Sequence, residues 1–219
     1  MAANNSLADA LSGYASYLDN KAPVTARAYD RIVDRLVGAK AGETAPRQGE
    51  TLLPFRLPDD GGRLVSSAEL LARGPLVVSM NRGHWCSFCR YELEALQGIL
   101  PKVVEHGGSI IAITPERQAF AKKLKSRSHL EFPILSDVDN GYALSLGLAV
   151  WYGEEIKPIF AGIGIDLPLY QGNSGWLVPI PATFVVAPNG RIAASFVDAD
   201  FRRRAEPEEI LATISLLRR

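Results

Sequence analysis

The sequence predicts an α/β fold, a central mixed sheet with helices on both faces, preceded by a separate N-terminal helical extension. Three observations carry this. Short apolar, β-branched runs alternate with helix-patterned segments through most of the chain; the first forty-odd residues are helical in pattern only; and 219 residues with 47% apolar content suffice for one full core plus an extension. The predicted division is an extension over residues 1–42 and an α/β domain over 43–219, with an irregular insertion at about 150–178.

Ser6 with Asp9 makes an N-cap, after which Leu7, Leu11, Tyr14 and Leu18 recur on one helical face. A second helix opens at Pro23, carries Val24, Ala28, Ile32, Val33 and Leu36, and stops at Gly38. The apolar side of this hairpin is expected to pack on its own domain, with a dimer interface as the other use. Beyond the linker Gly42–Gly49, Leu52–Leu57 reads as a strand, Asp59–Gly62 as a turn and Arg63–Val65 as a return strand. Leu76–Met80 and Ser109–Thr114 read as buried strands, with a helix from about Cys86, bent near Pro101, between them. A helix opened by Pro115, a strand Phe132–Leu135 and a helix Asn140–Leu148 follow. The stretch Val150–Val178 holds Trp151, Tyr152, Phe160, Tyr170 and Trp176 without a period, and is the insertion. Ala182–Val186 and Arg191–Val197 form a hairpin around Asn189-Gly190, and a closing helix begins at Glu206-Pro207.

With 24 basic and 24 acidic residues, no net field draws the protein to nucleic acid or an anionic membrane. The start Met1–Ser6 lacks the basic and apolar parts of a secretory signal, so a cytoplasmic location is expected. Leu167–Gly190 is free of charge but interrupted by Pro168, Pro179, Pro181 and Pro188, which excludes a bilayer helix. No cofactor and no metal are expected. The only cysteines are Cys86 and Cys89, too few for a disulfide scaffold.

These two cysteines sit where a buried strand ends and a helix begins. There the unpaired N–H groups and the helix dipole favour a thiolate, so Cys86 is expected to have a lowered pKa and act as nucleophile. One turn on, Cys89 can reach the first sulfur and resolve an adduct as a disulfide. Arg82 and His84 stand close enough in sequence to add positive charge. Three other uses compete with this redox reading. They are a zinc half-site, which lacks two further ligands beyond His84, His106 and His129; a structural disulfide; and a pair of small core residues.

Trp85-Cys86-Ser87-Phe88-Cys89 resembles the active site of the thioredoxin fold, and its surroundings resemble the peroxiredoxin-like branch, the alkyl hydroperoxide reductase/thiol-specific antioxidant family. Pro54–Pro58 with Asp60-Gly61, Phe132–Asp137, and Thr183–Val186 with Asn189–Arg191 carry the likeness over roughly residues 46–215. The resemblance implies a thioredoxin-like fold of the peroxiredoxin type. It also implies a thiol-dependent peroxidase in which Cys86 attacks a hydroperoxide, Cys89 condenses with the sulfenic acid, and a thioredoxin-type thiol restores both. Related scaffolds are often homodimers.

Departures define the expectations further. The family's Thr or Ser three residues before the first cysteine is Gly83 here, and its later Arg position is Pro181. Pro181 instead resembles the cis-proline that thioredoxins hold opposite their cysteines, which would leave the Ile180 backbone open to a peptide. The buried Asp of thioredoxins is Met80; Glu92, three residues after Cys89, is a candidate substitute as proton acceptor, with an ordinary exposed helix glutamate the favoured reading. Asp198–Arg204 reads as a solvated salt-bridged loop rather than a source of a guanidinium at the site, and Trp151, Tyr170 and Trp176 are candidate groove walls. The candidate site is therefore Cys86 and Cys89 with Arg82, Gly83, Trp85 and Pro181. A disulfide oxidoreductase acting on proteins, and a non-catalytic binding module, are the alternatives to the peroxidase.

Overall fold

The computed structural model describes residues 6–217; the leading residues Met1–Asn5, read above for a signal, lie outside the described residues. The extension is a helical hairpin of α1 (Leu7–Lys21) and α2 (Pro23–Gly38). Ser6 and Asp9 form a reciprocal capping box, and Pro23 starts α2 as expected. The Glu206 carboxylate accepts from the N–H groups of Leu7 and Ala8 at 3.0 and 2.8 Å, tying the start of α1 to the far end of the chain.

The antiparallel pair β1 (Arg56–Pro58) and β2 (Leu64–Ser66) leads through α3 (Ser67–Leu71) to β3 (Leu76–Met80). Then come α4 (Ser87–Glu105), β4 (Ser109–Thr114), α5 (Gln118–Arg127), β5 (Ile134–Ser136) and α6 (Gly141–Ser145). The stretch expected to be irregular is organised: β6 (Ala149–Trp151) and β7 (Leu177–Pro179) pair antiparallel and bracket α7 (Ile156–Gly162) and α8 (Leu167–Gln171). The chain closes with β8 (Ala182–Val186), β9 (Ile192–Val197) and α9 (Pro207–Leu216).

The central sheet has the order β5-β4-β3-β8-β9. Its β3–β4 and β4–β5 pairs are parallel, and β3–β8 and β8–β9 antiparallel, which gives the mixed sheet predicted. Alternation sends Leu76, Val78 and Met80 to one face, toward α6, and Val77 to the other, with Leu93, Leu96 and Val103 of α4 and Ile210 and Ile214 of α9. Local differences from the sequence expectations trace to single residues. Pro54 has no N–H for a ladder, so the strand expected from Leu52 begins at Arg56, although Leu52 and Phe55 are still buried. The helix expected at Pro115 begins at Gln118 because Glu116 turns inward. The helix expected to reach Leu148 stops at Ser145, ahead of Gly147 at φ +69°.

The hairpin packs on its own domain. Leu11, Ala28, Ile32 and Leu36 join a third apolar cluster with Cys86, Phe88, Cys89, Tyr152, Phe160 and Phe201. Tyr14 meets Phe88 edge-on at 5.0 Å between ring centroids. Among the described residues no helix is long and apolar enough to cross a membrane.

Candidate active site

The β3 strand delivers the chain to a turn in which the Cys86 N–H donates to the Gly83 carbonyl at 3.1 Å, and α4 then starts with Cys86 as its N-cap. The Cys89 N–H donates to Cys86 Sγ at 3.3 Å, and the two sulfurs, both free thiols, are 2.7 Å apart. Cys86 is 4% and Cys89 0% exposed. Only Cys86 of the pair borders a cavity of about 110 Å³, walled by Tyr29, Arg82, Phe88, Ile163 and Phe201 among others.

The N-cap position is as predicted, whereas the titration differs. Burial, followed by the contact with Cys89, pushes the Cys86 thiol well above its ordinary value. Burial also opposes ionisation of Cys89, but the hydrogen bond with Cys86 and the charges of Arg204 and Arg82 outweigh it and bring that thiol down to about 7. The depressed value thus falls on Cys89 and not on Cys86, and the pair holds one proton and one charge near neutrality across a short contact.

Arg82, 1% exposed, stands on the cavity side. Its Nη1 donates to the Tyr152 hydroxyl at 3.1 Å, and its guanidinium lies 3.7 Å above the Phe201 ring centre. Among the described residues its Nε and Nη2 have no hydrogen-bond partner.

Behind Cys89 the structure overturns two expectations. Glu92 is 2% exposed, and its carboxylate accepts from Ser79 Oγ at 3.0 Å, Thr183 Oγ1 at 2.8 Å and Arg204 Nε at 2.7 Å. Arg204 leaves the solvated loop, its side chain 2% exposed, and places Nη2 3.8 Å from Cys89 Sγ. The guanidinium missing at Pro181 is therefore supplied from beyond β9. Among the described residues Glu92 makes no hydrogen bond to Cys89; it anchors Arg204.

Gly83 has φ +126°, and a Cβ there would fall 2.2 Å from the Glu116 carboxyl carbon. That fully buried carboxylate, unforeseen from the sequence, accepts from the His84 N–H at 2.8 Å and meets His84 Nδ1 at 2.6 Å. His84 is thereby turned away from the sulfurs, against Tyr170 at 4.5 Å. Trp85 packs on Phe160 at 5.2 Å and Tyr152 at 5.9 Å and walls the cavity.

Pro181 is buried and follows a trans bond; among the described residues no peptide bond is cis. The Ile180 N–H is already spent on the Leu148 carbonyl at 2.8 Å because β7 pairs with β6, so the backbone expected to receive a peptide is occupied. Trp151, Tyr170 and Trp176 do not form one groove. Trp151 lies under Arg35 at 5.7 Å, Tyr170 against His84, and Trp176 near Phe160 at 6.4 Å.

A strand-to-helix dithiol on a mixed five-stranded sheet defines a redox protein of thioredoxin-like fold. The sequence model of the AhpC/TSA family matches residues 48–195, and the chain belongs to that family. Its structure is similar to Peroxidoxin BcpB from Mycobacterium tuberculosis, at TM-score 0.61 and 21% identity over 79% of this chain and 99% of that one. AhpC of Enterococcus faecalis superposes at TM-score 0.58 with 16% identity over 77% of this chain and 90% of its own. The bacterioferritin comigratory protein of Xanthomonas campestris, described for its alkyl peroxide reduction, matches at TM-score 0.54 and 16% identity over 79% and 95%. The chain is a thiol-dependent peroxidase of the peroxiredoxin type, using a hydroperoxide and a thiol reductant.

Proposed function

We propose that Cys86 is the sulfur that attacks the hydroperoxide and Cys89 the one that resolves it. The observation that carries this is the asymmetry of the pair: Cys86 borders the cavity, and Cys89 lies fully buried behind it, 2.7 Å away. With the pair's one proton passed to Cys89 and the charge to Cys86, the Cys86 thiolate attacks the distal oxygen; an S–O bond forms, the O–O bond breaks, and the alkoxide takes the Cys89 proton and leaves as alcohol. Cys89, left as a thiolate, then attacks the sulfenic sulfur, forming the disulfide and expelling hydroxide, which takes a proton from solvent and leaves as water. Arg82 and Arg204 hold the negative charge until attack, Trp85 walls the cavity, and Gly83 makes room for Glu116. Pro181 borders a different cavity, with Thr183 and Arg204, and has no part in the attack. A thioredoxin-type dithiol restores the pair in the cytoplasm. A homodimer belongs to this reading on the family's habit alone.

Rapid mixing of reduced protein with a hydroperoxide, followed by Trp85 fluorescence and thiol counting, tests it. Cys86→Ser is expected to abolish turnover. Cys89→Ser is expected to keep the first oxidation and accumulate a sulfenic acid that a dimedone-type reagent traps. Turnover surviving in Cys86→Ser ends the assignment.

A further inference from the structure

We propose that Tyr29, brought in by the N-terminal hairpin, is a catalytic residue of this peroxidase: its hydroxyl and the Arg82 guanidinium together grip the hydroperoxide above Cys86. The inference rests on Cys86 being the attacking sulfur.

Tyr29, Arg82 and Cys86 line the same small cavity, whose other walls are mostly apolar. At about 110 Å³ it has room for a molecule of a few heavy atoms. Among the described residues the buried Arg82 leaves Nε and Nη2 without a partner, and a buried N–H left unpaired is costly, so a ligand that accepts from both is the natural completion of the site.

Tyr29 is held for this purpose. Its ring stands edge-on to Phe201 at 5.2 Å, and Phe201 also carries the Arg82 guanidinium. One residue on, Asp30 accepts from Arg202 at 2.7 Å, and Arg35 of the same helix donates to the carbonyls of Trp151 and Tyr152 at 3.2 Å. Burial, then the nearby Tyr152 and Cys86, raises the Tyr29 hydroxyl well above its ordinary value, so it stays protonated, a donor beside the Tyr152 hydroxyl. As the S–O bond forms and the O–O bond breaks, negative charge grows on the leaving oxygen between the Tyr29 O–H and the Arg82 N–H groups. The leaving alkoxide ends as alcohol with the proton the dithiol gave up, and Tyr29 ends as it began.

The test is Tyr29→Phe, a change that removes one oxygen and keeps the ring. Two rates are measured on the reduced protein, oxidation by hydrogen peroxide and alkylation by iodoacetamide. The expected result is an oxidation rate lower by about a hundredfold, the usual order for losing one such donor, with alkylation within about twofold of wild type. Arg82→Gln is expected to slow oxidation as well. Oxidation at the wild-type rate in Tyr29→Phe overturns the proposal, as does an equal fall in both rates, which assigns the hydroxyl to packing or access. If Cys86→Ser is inactive while Tyr29→Phe oxidises normally, this inference fails alone; slow oxidation of the wild type brings down the parent reading.

Discussion

The two guanidiniums flanking the dithiol are buried alike and bonded oppositely. Arg204, behind Cys89, has its charge met by Glu92, which Ser79 and Thr183 also satisfy. Arg82, on the cavity side, spends one N–H on Tyr152 and, among the described residues, leaves Nε and Nη2 unpaired. A satisfied buried ion pair sets a constant field, whereas an unsatisfied one beside a cavity is incomplete until something binds. The dithiol thus has a fixed electrostatic rear and a receptive front, which suits a sulfur that must be ionised before the substrate arrives.

Removing Glu92 breaks this contrast with the largest expected effect. Glu92→Gln leaves Arg204 buried opposite a neutral amide, and breaking one half of a buried pair costs about 3–5 kcal/mol. Denaturant unfolding of the reduced protein reads that loss. The double variant Glu92→Gln/Arg204→Met is expected to recover most of it, because no uncompensated charge remains. A loss below about 1 kcal/mol in the single variant would mean the rear network is not the closed ion pair described.

Arg204 sharpens the contrast through pH. The pair ionises near 7 because the Cys86 contact and the Arg204 and Arg82 charges overcome the burial of Cys89. Alkylation of the reduced protein is therefore expected to rise with pH through a midpoint near 7. Removing the positive charge disfavours the thiolate, so Arg204→Met moves the midpoint upward, toward the ordinary thiol value of about 8.5. An unmoved midpoint would leave Arg82 and the sulfur–sulfur contact as the whole cause.

The same contrast separates what was legible in the sequence from what was not. The strands Leu76–Met80, Ser109–Thr114 and Ala182–Val186 are found at their predicted bounds because burial on both faces writes an uninterrupted β-branched run. The cysteine pair was legible because its chemistry is local: strand end, cap and one helical turn. Glu92 was misjudged although its signal was present. Phe88, Cys89, Glu92, Leu96, Ile99 and Val103 share the buried stripe of α4, and a carboxylate in such a stripe requires a cation. Which cation could not be read, because Arg204 is 112 residues away in a loop without a period. Tyr29 escaped for a related reason: its position looks like one more residue on the apolar side of an amphipathic helix, and only the docking of α2 brings it to the cavity that Arg82 and Cys86 also line.

The run Arg202-Arg203-Arg204 holds the smallest test, since one stretch of sequence sends three like side chains to three fates. Arg204 goes inward to Glu92, and Arg202 joins Asp200 and Asp30, holding α2 beside the site. Arg203 stays outside, 75% exposed, with Asp198 at 3.5 Å. An exposed pair of this kind is worth at most about 1 kcal/mol, because water screens it and two long side chains must be held still. Arg203→Ala is therefore expected to change unfolding free energy by less than about 0.5 kcal/mol and leave the peroxide rate and alkylation midpoint in place. A loss of 2 kcal/mol or more there, or a shifted midpoint, would show that the rear field extends over the whole run and is not set by the buried member alone. The contrast between Arg204 and Arg82 would then be one of degree.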